Sequence, residues 1–125
     1  MSRTTRLQLS LEPVDSAQPW HIFNEFINWL EAGYLTEVYR AVTGTDTVLA
    51  GDYTVDATSG TFTLTLLTAV GRQGKIYNLK NSGTGVITLA TTSSQTIDGN
   101  ASGTLTLTQY ENLQVQSNGA NWIIL

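Results

Sequence analysis

The sequence predicts a mainly β protein: an N-terminal arm and one short helix, then an antiparallel β-sandwich-like or trimeric β knob. The docking arm and helix are assigned to residues 1–34 and the β-rich knob domain to 35–125. Three observations support this. After Leu35 most runs alternate aliphatic residues with Thr, Gln or Ser, the period of a strand with one wet face. Gly, Asn, Asp and Ser bound those runs. Helical spacing is confined to the stretch before Gly33.

In the arm, Leu7, Leu9 and Leu11 alternate with Gln8 and Ser10. This is strand-like spacing, and it has two readings. The arm is either an edge strand of the chain's own sheet or an apolar row that docks onto another protein.

The helix is read over "SAQPWHIFNEFINWLEA", residues 16–32. Pro19 suits a first helical turn, where a missing N–H costs nothing. Gly33 is a good stop just past the end. Trp20, Phe23, Ile27, Leu30 and Tyr34 follow heptad spacing, with Ile22, Phe26 and Trp29 as a second stripe beside them. So short a helix is marginal alone in water. Its apolar circumference must be covered, either by the domain's own sheet or by copies of itself around an axis.

The strand-like runs are "TEVYRAV", "DYTVDAT", "TFTLTLL", "KIYNLKN", "GVITLAT", "TLTLTQ", "ENLQVQS" and "NWIIL". "SNGAN" at 117–121 carries Asn-Gly, a strong hairpin signal, and places the last two runs antiparallel. The final residues, Trp122, Ile123, Ile124 and Leu125, need burial in the chain's own core or among copies. "SGTFTLTL", "SGTGVITL" and "SGTLTLT" share a Ser-Gly-Thr turn. Recurrence of that kind can mark stacked β units. The segments between them do not align, so the echo is read as a turn preference in a Thr-rich chain.

Composition narrows the chemistry. Charged residues make up 13% of the 125, and the net charge is −4, so there is no basic footprint for nucleic acid. Without cysteine there are no disulfides, thiolate metal sites or cysteine nucleophiles. The one histidine, His21, has no nucleophile motif to serve and no partners for zinc or copper. "GRQGK" at 71–75 lacks the spacing and hydroxyl of a phosphate loop. Asp46, Asp52, Asp56, Asp98 and Glu111 are the candidates for paired carboxylates, but most sit in turn-like settings. "IDGN" at 97–100 is too short for a calcium loop. No run reaches the roughly 18 apolar residues of a membrane span, and the N-terminus has no apolar core of signal-peptide length. The expectation is a non-enzyme with no catalytic, cofactor or metal residue, acting without nucleic acid or membrane.

The stretch from about 52 to 125 resembles a module that recurs near the ends of bacteriophage tail-fibre and related virion surface proteins. The resemblance rests on "VDATSG", "GKIYNLKN", "TIDG" and the ending "LTQYENLQVQSNGANW". These are turn and packing residues. The resemblance implies a β-rich trimeric knob on a virion, assembled in the host bacterial cytoplasm, where absent cysteine suits a reducing compartment. The expected protein is a short trimeric fibre or spike-like surface protein attached by its N-terminus. Leu7, Leu9 and Leu11 would dock it to tail or major capsid protein. The trimer interface would use Trp20, Phe23, Ile27, Leu30, Tyr34, Trp122, Ile123, Ile124 and Leu125. Tyr53, Tyr77 and Tyr110 lie in or near strands and have two readings: core residues, or exposed rings that contact host glycans. Tail fibres are usually long, whereas here the module is most of the chain, which raises a capsid decoration (cement or head-fibre) protein as an alternative. A monomeric carbohydrate-binding module is a third.

Overall fold

Alternation in these runs has one physical outcome: Leu, Ile and Val on one face, hydroxyls and amides on the other, and two such sheets closed over the apolar faces. A computed structural model of the chain describes residues 22–28 and 36–125. The chain divides into two compact units, residues 1–36 and 37–125. In the first, residues 22–28 are helical. Leu7, Leu9, Leu11, Trp20, Leu30 and Tyr34 lie outside the described residues.

The second unit holds nine strands: β1 (Tyr39–Val42), β2 (Asp46–Thr47), β3 (Thr54–Ala57), β4 (Phe62–Thr65), β5 (Ile76–Asn81), β6 (Ile87–Ala90), β7 (Leu105–Leu107), β8 (Asn112–Ser117) and β9 (Trp122–Ile124). They form a five-stranded sheet, β1-β3-β5-β8-β9, and a four-stranded sheet, β2-β4-β6-β7. The protein is therefore mainly β and sandwich-like. All eight expected runs contain a strand. β2 adds a ninth.

The antiparallel expectation is corrected for the first six strands. β1, β3 and β5 run parallel, and so do β2, β4 and β6. The chain crosses to the opposite sheet after each strand, so successive strands of one sheet enter from the same end. The result is three stacked two-strand rungs. The remaining pairings, β5–β8, β6–β7 and β8–β9, are antiparallel and close the stack. The Asn-Gly hairpin stands as expected, with Ser117 opposite Trp122.

The stacking also revises the reading of the Ser-Gly-Thr echo. The strands after its first two copies are parallel neighbours, Phe62 beside Ile87 and Leu64 beside Leu89. The turns feeding them press together. A Cβ on Gly85 would lie 2.2 Å from the Gly60 carbonyl oxygen, and one on Gly83 2.9 Å from Ser59 Cα. Glycine is required there because backbone meets backbone. The third copy, at 102–104, leads into antiparallel β7, and a Cβ on Gly103 would meet nothing within 4 Å.

One core lies between the sheets. Val55, Tyr77, Leu79, Val115 and Trp122 of the larger sheet face Phe62, Leu64, Ile87, Leu89 and Leu107 of the smaller. Trp122 is 0% exposed, packs 5.5 Å from the Tyr77 ring, and donates its indole N–H to the Leu67 carbonyl at 3.1 Å. Its assignment to a trimer interface is therefore corrected: its side chain is consumed by its own core. Ile123 and Ile124 are half-buried, Ile124 against that core, while Leu125 is exposed.

Candidate binding face

Most residues that carry the resemblance hold turns. Asn81 is fully buried and donates both amide hydrogens, to the Gly85 and Leu107 carbonyls at 2.8 Å, while its oxygen accepts the Gly83 N–H. Asp98 accepts the Ile124 N–H at 3.1 Å, so "TIDG" anchors the last strand. Asn121 accepts the Thr96 N–H, and Asn118 caps its own turn through the Ala120 and Asn121 N–H groups. Glu111 accepts the Thr108 N–H at 2.7 Å.

Asp46 and Asp52 are structural as well. Arg40 on β1 spans the first rung, donating to Asp46 of the facing sheet at 2.9 Å and to Asp52 at 2.9 and 3.1 Å. Its guanidinium holds the Asp46 carboxyl below the ordinary value. For Asp52, burial pushes the carboxyl up, but Arg40 and the Leu49 N–H outweigh it and leave the value lowered. Arg40 is raised in turn. No cluster of three or more His, Asp or Glu able to hold a metal is present among the described residues. No helix among them is long and apolar enough to cross a membrane.

The three tyrosines proposed for glycan contact part company. Tyr77 is fully buried in the core and donates its hydroxyl to the Leu49 carbonyl, so its assignment is corrected. In β5 it shares parity with buried Leu79, so its ring points inward. Tyr53 is half-buried beside β3. Tyr110 is 67% exposed. Its backbone is left-handed, φ +68°, which is unfavourable for a bulky side chain. Two contacts impose that conformation: the Tyr110 N–H donates to the Asn81 carbonyl at 2.6 Å, and Lys80 Nζ donates to the Tyr110 carbonyl at 2.8 Å. Lys80 Nζ also lies 5.9 Å from the ring centroid, within cation–π reach.

Tyr110 borders the outer face of the five-stranded sheet. Across that face run two register rows, Tyr39–Thr54–Asn78–Gln114 and Ala41–Asp56–Lys80–Asn112. Gln114 donates to the Asn78 side-chain oxygen at 2.8 Å, and the Tyr39 hydroxyl donates to Asp56 at 2.7 Å. That bond is the main reason the Tyr39 hydroxyl is raised above its ordinary value. Tyr39, 61% exposed, flanks the rows on β1. The sequence reading missed it, although it shares parity with exposed Ala41 and not with buried Val42. The face thus offers two exposed aromatic rings with amides, hydroxyls, one carboxylate and one ammonium between them. Rings and polar groups of these kinds can stack on and hydrogen-bond a polyhydroxy ligand. No protein-family model, curated protein or solved structure matches the chain.

In the helical segment, Phe23 and Ile27 are half-buried, while Ile22 and Phe26 of the second stripe are exposed.

Proposed function

We propose that the chain is a non-enzymatic structural protein of a bacteriophage virion. It is a short trimeric fibre or spike-like surface protein, attached through its N-terminal region, whose knob contacts host glycans with the outer face of the five-stranded sheet. The resemblance of residues 52–125 supports the virion setting. The observation that carries the glycan reading is Tyr110. Asn81, Asp98, Asn118, Asn121 and Trp122 of the shared pattern are absorbed into turns and core, whereas the Tyr110 ring is 67% exposed on a left-handed backbone. Strain of that kind is retained where the surrounding structure enforces it, and it clusters at binding sites.

The test is a glycan array probed with the full chain and with Tyr110→Ala, run beside counting of copies per purified virion. Binding to a glycan that the variant loses supports the reading. Equal binding by both moves the site elsewhere. No binding, together with hundreds of copies on the shell, would replace a fibre with a decoration protein. The trimer is tested by light scattering on the full chain. Truncating residues 122–125 does not test it, because the loss of Trp122 destabilises the core in any oligomeric state.

A further inference from the structure

Asp56 is unusual on the outer face. The pleat turns it outward between inward-facing Val55 and Ala57, yet it is only 8% exposed. Its Oδ2 accepts the Tyr39 hydroxyl. Its Oδ1 is buried and has no hydrogen-bond partner. A buried acceptor left unmade costs free energy, so such a group is a place to look for a missing donor.

The surroundings narrow what that donor is. Ala41 lies beside Asp56 on β1 and Lys80 on β5. Lys80 makes no ion pair with Asp56 and spends its ammonium on the Tyr110 carbonyl. A cation would meet that ammonium, and an anion would meet the Asp56 carboxylate. A neutral ligand with two adjacent donors meets neither objection. Tyr39 meets the carboxylate through its hydroxyl on Oδ2, and the residue is 61% exposed.

We infer that Asp56 is the anchoring residue of a saccharide subsite, in which a vicinal diol of a neutral sugar displaces the Tyr39 hydroxyl and donates to both carboxylate oxygens. This rests on the glycan reading above. The bound diol satisfies Oδ1 and replaces the bond on Oδ2. The freed Tyr39 ring lies against the sugar, and Asn78 is at hand in the adjacent register row. Hydrogen bonds to an ionised acceptor of this kind are shorter and stronger than neutral ones.

The experiment measures affinity of the full chain for the neutral oligosaccharide that binds best on an array, by calorimetry, with Asp56→Asn and Tyr39→Phe. Asp56→Asn keeps an acceptor for Tyr39 but replaces the second acceptor with a donor, and affinity falls about tenfold or more. Tyr39→Phe removes the competing hydroxyl and keeps the ring, and affinity rises. Opposite signs support the subsite. Unchanged affinity in Asp56→Asn, with binding still lost in Tyr110→Ala, overturns the subsite and leaves the glycan reading standing. Should Asp56→Asn fail to fold, weaker binding by a folded Tyr39→Phe overturns it alone. An array on which the wild-type chain binds only acidic glycans or none also overturns it, and in the second case the glycan reading falls with it.

Discussion

On the four-stranded sheet the outer face carries Thr63, Thr88 and Thr106 in one row and Thr47, Thr65 and Ala90 in the next. On the five-stranded sheet the rows hold Tyr39, Thr54, Asn78 and Gln114, then Ala41, Asp56, Lys80 and Asn112. Both are the wet sides of sheets stacked from the same three rungs. The threonine face needs no further explanation than β-branched residues on a pleated surface. The other face departs from that default with a strained exposed tyrosine and a buried carboxylate short of a donor. The scaffold explains what the two faces share, and the proposed glycan ligand would account for where they differ.

Breaking the scaffold removes both faces at once, and these effects are the largest. Trp122→Ala empties the centre of the core and is expected to cost about 3–5 kcal/mol in urea unfolding. Gly85→Ala drives a methyl into the Gly60 carbonyl and is expected to cost about 3 kcal/mol. Gly103→Ala, in the third Ser-Gly-Thr turn, meets open space and carries only the left-handed backbone penalty of about 1–2 kcal/mol. Equal effects at the two glycines would contradict the stacking of the first two turns.

Arg40→Met comes next, at about 2–3 kcal/mol, because it leaves Asp52 buried without its partner. The figure is below that of a fully buried pair because Arg40 is partly solvated. Both carboxyls on Arg40 are lowered in the folded state. Their contribution is complete above the unfolded value of about 4 and is lost as pH falls through the folded values. Thermal melts of the wild type are expected to drop below pH 4, and those of Arg40→Met to drop less steeply.

Smaller effects separate the faces. Tyr110→Gly relieves the left-handed backbone and is expected to raise stability by about 0.5–1 kcal/mol while abolishing glycan binding. A loss of stability would mean that the ring is structural. Thr88→Val on the opposite face is expected to stay within about 0.5 kcal/mol and leave binding unchanged.

The strands were legible because alternation in "TFTLTLL" or "KIYNLKN" survives any pairing partner. For the same reason the pairing direction was not: a period of two is common to parallel and antiparallel neighbours. The signal for stacking was Ser-Gly-Thr before Phe62 and Ile87, obscured by intervening segments of unequal length. β2 escaped notice because Asp46–Thr47 is too short to alternate. At the candidate face, the sequence shows Asp56 only as half of a possible carboxylate pair, because a missing donor becomes visible once burial is known. The parity of Trp122 is hidden because "WIIL" does not alternate, whereas the inward parity of Tyr77, expected to meet glycan, lies in its alternation with Asn78 and its match to Leu79.

The comparison of the two faces is decided most directly by amide chemical-shift mapping of the full chain during titration with the best array glycan. The expected result is a set of perturbations centred on Tyr39, Asp56, Asn78, Lys80, Tyr110 and Gln114, with Thr63, Thr88 and Thr106 unmoved. Perturbations centred on the threonine rows, or none at saturating glycan, would contradict the account.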